Sequence, residues 1–206
     1  MIQLYGLRMS NYYSLVKALL IEKAVEFEEV KAPPTQKDDN LARSPMGKMP
    51  SIGVDGQYMS ESIAIAAYLD RLQPEPALLP SDPFAAGKVV ELACHIKLDI
   101  ELVARRCLPE AFFGGQVSDE TKETTQADLK KGMAALDRIF VGDPYAAGPD
   151  LTLADFYTFF CFGLSGGIVQ KMFGEDLLAG HPKIQGVMAR LAEHPSIARV
   201  VAEQAS

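Results

Sequence analysis

Pro74, Pro76, Pro80 and Pro83 fall within residues 73–83, the densest cluster of chain breakers in the sequence. Each proline removes a backbone donor and fixes φ, so neither a helix nor a central strand continues through such a stretch. The character of the chain also changes across it. Before residue 73, short apolar runs alternate with helical patterns. After residue 83, strand signals vanish and apolar residues recur at three- and four-residue steps. Two domains are therefore expected: residues 1–76, a linker at 77–84, and residues 85–206.

The first half reads β-α-β-α-β-β-α. Residues 2–6 form a first strand and residues 11–24 a helix that turns Leu15, Ala18, Leu19 and Ile21 toward a core. Residues 27–31 form a second strand whose alternation of Phe27 and Val30 with Glu26, Glu28 and Glu29 is imperfect. A polar loop with Pro33-Pro34 and one helical turn near Leu41 follows. The βα alternation implies a parallel pair and Asp55-Gly56 an antiparallel hairpin, so the sheet is mixed.

The most informative stretch is residues 47–62. Met49-Pro50 precedes a short apolar run over residues 51–54, and Asp55-Gly56 supplies the turn to a second short strand. A proline entering a strand cannot donate to the ladder and is at home in a tight turn, where a cis bond turns neighbouring backbone groups outward. Ser60-Glu61-Ser62 then sits at the cap and first turn of a helix through Ile63, Ala66, Ala67 and Leu69.

The second half reads as helices only. Val89, Leu92, Ile96, Ile100, Val103 and Cys107 predict one long amphipathic helix, and Leu129, Met133, Leu136 and Phe140 a second. Thr152 to Asp155 is a capping box opening a third, rich enough in phenylalanine to be buried on most sides. Shorter helices are expected over residues 184–191 and 197–201.

Met49-Pro50 before a strand, with Ser60-Glu61-Ser62 opening the next helix, resembles the glutathione-binding half of a glutathione transferase. The resemblance spans the whole chain: an α/β thioredoxin-like N-terminal domain, βαβαββα, joined to an all-α C-terminal helical domain. It implies that the backbone of Met49, held by Pro50, pairs with the cysteinyl backbone of glutathione. Glu61 and Ser62 would grip the γ-glutamyl end, and Lys37 and Lys48 would reach the glycyl carboxylate, with Arg8 a weaker candidate.

Such an enzyme must hold a thiolate. Lowering a thiol pKa from ~8.5 by about two units requires ~2.7 kcal/mol. A hydrogen bond to a charged partner supplies ~1.5–3 kcal/mol and a helix N-terminus ~0.3–1 kcal/mol, which together suffice. Ser10 directly precedes the first helix, so its hydroxyl either aims at a sulfur over the free amides or simply caps them. By resemblance to the serine-type bacterial members, Ser10 is the expected catalytic residue and a glutathione contact, with Asn11, Tyr12 and Tyr5 as alternates in that order. The double-cysteine motif of thioredoxins is absent at this helix start, as is the Ser-Ser-Cys signature of the zeta-type isomerases. Arg105, Arg106, Phe112 and Phe113, near the end of the long helix, are candidates for the second substrate, with plain loop packing the competing account.

Net charge is −7 over 206 residues, which argues against a nucleic-acid face. No apolar run reaches membrane-spanning length, and a cytoplasmic location without a membrane partner is expected. Cys94, Cys107 and Cys161 are few and far apart, and His95, His181 and His194 lack ligand spacing, so no metal is expected. The resemblance to glutathione transferases implies glutathione as the co-substrate. The expected activity is transfer of glutathione to a small hydrophobic electrophile, as in detoxification. The alternatives are a peroxidase, dehalogenase or disulfide reductase on the same site, or a non-catalytic transferase-like scaffold. The resemblance also implies a homodimer.

Overall fold

The computed structural model describes residues 1–204. It divides into two units, one formed by Met1–Leu78 together with the segment from Glu193, the other by Leu79–Ala192.

In the first unit, β1 (Ile2–Gly6), α1 (Asn11–Glu22), β2 (Phe27–Lys31), α2 (Asp38–Arg43), β3 (Ser51–Val54), β4 (Gln57–Ser60) and α3 (Ser62–Leu72) follow in the expected order. The strands form one mixed sheet in the order β2-β1-β3-β4. β1 and β2 are parallel, while β1–β3 and β3–β4 are antiparallel. β2 lies at an edge and none of its residues is fully buried, in keeping with its weak alternation. Ile2, Leu4, Leu15, Leu19, Ile52, Ile65 and Leu69 are buried and form the core of this unit.

Two lysines of α1 are buried where helical periodicity reads only a polar position. Lys23, capping α1, donates to Asp70 and to the carbonyls of Gln73 (2.9 Å) and Pro76 (2.6 Å), while Asp70 also accepts from the Leu78 amide at 2.8 Å. One ammonium thus organises the start of the proline-rich segment. Lys17, 2% exposed, donates to Glu29 at 2.7 Å and to Glu203.

The last helix, α10 (Pro195–Gln204), falls in the first unit. α10 runs antiparallel along α1: His194 Nε2 meets Glu22 at 2.7 Å at one end, and Gln204 Nε2 donates to Ser14 Oγ at 2.6 Å at the other. Short-range periodicity marks α10 as a helix but carries no information about which unit its face packs against.

The second unit contains α4 (Pro83–His95), α5 (Leu102–Ala104), α6 (Leu108–Phe113), α7 (Asp119–Ile139), α8 (Leu153–Phe173) and α9 (Pro182–Ala192). The single long helix predicted over residues 89–107 is interrupted: a π-helical segment, Ile96–Glu101, follows α4, and a 3₁₀ turn, Arg105–Cys107, follows α5. A Cβ on Gly132 of α7 would lie 2.6 Å from the Asp99 carbonyl, so α7 offers bare backbone where the widened turn comes closest. Ile96, Ile100, Val103 and Cys107 remain buried despite the change of pitch, which is why their spacing concealed it. In α8, Phe156, Tyr157, Phe160 and Phe162 are all buried, as a helix apolar on every side must be. Its capping aspartate, Asp155, accepts from the amides of Thr152 and Ala146, both at 2.8 Å. Burial raises the pKa of this carboxyl, although those hydrogen bonds oppose it.

Candidate functional site

Strand register brings the Met49-Pro50 corner and Glu61 to one end of the sheet. Tyr5 pairs with Ser51 and Ser51 with Ser60. The next residue along the chain at each strand end is therefore Gly6, Pro50 and Glu61. The C-terminal end of β1, the entry to β3 and the exit from β4 share this edge, from which α1 and α3 both start.

The Met49-Pro50 bond is cis, with Pro50 buried and Met49 half-buried. Glu61 caps α3 with φ 71° and ψ 115°, a conformation that L-residues with a Cβ seldom adopt. Its side chain makes no capping hydrogen bond. Ser62, the first residue of α3, is 3% exposed. Lys37 caps α2 and is exposed, as is Lys48. The loops that carry them are stitched together: the Thr35 amide donates to Gly47 O at 3.1 Å, Gln36 Nε2 to Met46 O at 3.2 Å, and the Lys48 amide to Ser44 Oγ at 3.2 Å. The two cations therefore flank one ordered loop pair.

Ser10 is the N-cap of α1, half-buried, with φ −82° and ψ 126°. Its Oγ accepts from the Tyr13 amide at 3.4 Å, and its own amide donates to Leu7 O at 3.0 Å. Capping and thiol activation are compatible here. The hydroxyl oxygen accepts from the helix, and its proton remains available for a sulfur. Asn11 is buried and Tyr12 half-buried in the same first turn.

Tyr5 donates to Gln3 Oε1 at 2.7 Å, and its ring lies edge-on to Tyr58 with the Arg43 guanidinium 5.1 Å from its centroid. Burial and the Tyr58 hydroxyl push its pKa above the usual phenol range, against the pull of Arg43. Tyr13 lies beside Tyr12 in the first turn of α1 but is fully buried. A Cβ on Gly6 would lie 2.5 Å from its ring, so glycine is needed for the ring to pass beneath the end of β1. Its hydroxyl donates to Glu29 Oε2 at 2.6 Å. Burial and that hydrogen bond drive its pKa strongly upward, so it stays a proton donor to Glu29.

Glu29 is the electrostatic centre of this region. It accepts from Arg8 through two nitrogens (3.1 and 2.7 Å), from Lys17 and from Tyr13. Burial alone would raise its pKa, but the hydrogen bonds from Arg8, Lys17 and Tyr13 outweigh it and bring the value to about 2. Arg8, considered as a weak cation for a ligand carboxylate, is thus engaged by Glu29. The signal for this cluster was the break in alternation at Glu28-Glu29.

The second-substrate candidates lie in the other unit. Arg105 Nε donates to the fully buried Glu101 at 2.8 Å, and Arg106 pairs with Asp128 at 2.6 Å. Phe112 lies under the Lys171 ammonium, 4.0 Å from its ring centroid, and both Phe112 and Phe113 are exposed. Among the described residues no group of three or more His, Cys, Asp or Glu is placed to hold a metal ion, and no helix is long and apolar enough to cross a membrane.

The glutathione S-transferase N-terminal domain profile matches residues 4–77, and the C-terminal domain profile matches residues 109–204. A glutathione S-transferase of Pseudomonas putida is 40% identical over 204 residues, covering 99% of this chain and 93% of that protein. The chain belongs to the glutathione S-transferase family. A probable maleylacetoacetate isomerase 1 of Drosophila melanogaster is 28% identical over 123 residues, 57% of this chain and 47% of that protein. Among solved structures, the holo form of maleyl pyruvate isomerase, a bacterial zeta-class member, superposes with a TM-score of 0.77. It is 25% identical, and the match covers 96% of this chain and 95% of that one. The start of α1 in this chain reads Ser10-Asn11-Tyr12.

Proposed function

We propose that this enzyme binds glutathione along the sheet end formed by β1, β3 and β4 and holds it as a thiolate over the start of α1. Met49, turned by Pro50, presents its backbone to the cysteinyl unit. Glu61 takes the α-ammonium and Ser62 the carboxylate of the γ-glutamyl unit, aided by the α3 amides. Lys37 and Lys48 meet the glycyl carboxylate. Ser10 donates its hydroxyl proton to the sulfur, with Asn11, Tyr12 and Tyr5 as successive alternates. The observation that carries this reading is the register Ser51↔Ser60, which puts Glu61 beside the Pro50 corner.

The thiolate then attacks a small hydrophobic electrophile. Phe112 and Phe113, both exposed, are its proposed aromatic contacts, with Arg105 and Arg106, each engaged in an ion pair of its own, as further candidates. The same thiolate serves peroxidase, dehalogenase or disulfide-reductase chemistry. Isomerisation of a maleyl keto acid, by addition and elimination of the thiolate at the double bond, is a second reading favoured by the isomerases that the chain resembles. We also propose a cytoplasmic detoxification role and a C2 homodimer using the helical faces of residues 89–103 and 129–140, which light scattering at micromolar concentration tests.

The deciding experiment titrates the ultraviolet absorbance of the thiolate of bound glutathione. The native protein should hold the thiol pKa about two units below its free value, and Ser10→Ala should return it most of the way. A full-strength thiolate in Ser10→Ala would refute the assignment of Ser10. No retention on immobilised glutathione would refute the binding site altogether. A panel of halogenated aromatics, hydroperoxides, mixed disulfides and maleyl keto acids then separates the chemistries.

A further inference from the structure

The turn that carries Ser10 is clamped from three sides. Arg8 sits at its tip, two residues before Ser10. The Arg8 carbonyl accepts from Ser14 Oγ at 3.1 Å and from Gln204 Nε2 at 2.8 Å. Gln204 Nε2 also donates to Ser14 Oγ at 2.6 Å, which closes a triangle of three polar groups. The Arg8 guanidinium is meanwhile fixed by Glu29 on β2 and donates to the Glu203 carbonyl at 3.3 Å. Ser14 is fully buried, while Arg8 and Gln204 are exposed, so the triangle joins the buried first turn of α1 to the surface end of α10.

We infer that Gln204, at the end of α10, is a positioning residue for thiol activation: it holds the Arg8 carbonyl and, through that turn, the aim of the Ser10 hydroxyl. The inference rests on the reading of Ser10 given above. Gln204 acts only through the backbone of residues 8–10. A misplacement of a fraction of an ångström matters because hydrogen bonding to a sulfur is directional and steeply distance-dependent. The fold supplies this function with a residue almost two hundred positions away in sequence. α10 is anchored independently by Lys17–Glu203 and His194–Glu22, so the helix stays in place when the amide is removed.

The test uses the full chain with Gln204→Met, which keeps length and apolar packing but removes both donors. Ser10→Ala is run in parallel, and Val201→Ala, an exposed position on the same helix, serves as control. The thiolate titration should show a raised pKa in Gln204→Met, with kcat at a pH below that pKa falling about three- to tenfold. Measured well below the pKa of the bound thiol, where the sulfur is protonated in every variant, the dissociation constant for glutathione should hold, as should all values in Val201→Ala. A purely structural role would lower the melting temperature and leave the thiol pKa of the folded protein untouched, which overturns the inference. If Ser10→Ala raises the pKa and Gln204→Met does not, the inference falls and the Ser10 reading stands. If Ser10→Ala leaves the pKa unchanged, both fall. Should Gln204→Met fail to fold, Ser14→Ala, which removes the other donor to the Arg8 carbonyl, carries the test with the same two outcomes.

Discussion

Glu61 occupies φ 71°, ψ 115° at the junction of β4 and α3 although it is not glycine. A non-glycine residue in so sparsely populated a region costs about 1–3 kcal/mol. Substituting glycine removes that strain but adds about 0.5–1 kcal/mol of chain entropy to the unfolded state. The net gain centres near 1 kcal/mol, taking the middle of both ranges. Alanine is the proper comparator, because Glu61→Ala also deletes the carboxylate yet keeps a Cβ and hence the strain. For a chain of this length, 1 kcal/mol corresponds to about 2–4 °C in melting temperature. Glu61→Gly should therefore melt about 2–4 °C above Glu61→Ala by differential scanning calorimetry. Both should lose the charge-assisted bond to the ligand ammonium, worth about 1.5–3 kcal/mol, so that calorimetric titration shows glutathione binding roughly ten- to a hundredfold weaker. Stability and binding would then move in opposite directions at one residue. An alanine variant at least as stable as the glycine variant would refute the strain argument. Undiminished affinity in both would refute the ligand role.

Two further outcomes follow from the buried charges. Lys23→Met removes the ammonium shared by Asp70 and the carbonyls of Gln73 and Pro76, leaving a carboxylate and two carbonyls short of a donor. A loss of about 3–5 kcal/mol is expected in urea unfolding, and a loss below about 1 kcal/mol would contradict the assignment. Glu29 has a folded pKa of about 2 against 4.5 unperturbed, so its contribution is complete above about pH 4.5 and fades as pH falls toward 2. With its side chain 27% exposed, solvent screening reduces that contribution to about 1–2 kcal/mol. The stability advantage of the native protein over Glu29→Gln should shrink steadily between pH 4.5 and 2. A constant difference across that range would rule out the ionised network.

Local chemistry along the chain was sufficient for the element order, the mixed sheet, the proline break, the capping box at Thr152 and the two halves of the candidate site. Each of these depends on residues within about a turn or a hairpin of one another: a proline's missing donor, a turn's φ, a cap, a repeat of 3.6 or 2. The corner at Pro50 and the Glu61-Ser62 pair were legible for the same reason, because one hairpin joins them. Only the tertiary structure decided the rest. It turned the predicted long helix into a π-helical segment where α7 is bare at Gly132, and it took α10 into the first unit. It buried Lys17 and Lys23 against carboxylates, and it set Tyr13, Glu29 and Gln204 around the turn that carries Ser10. A lysine or glutamine in a helix has the same local signature whether it faces water or a partner close to two hundred residues away. Its role is set by long-range juxtaposition, which periodicity and propensity do not encode.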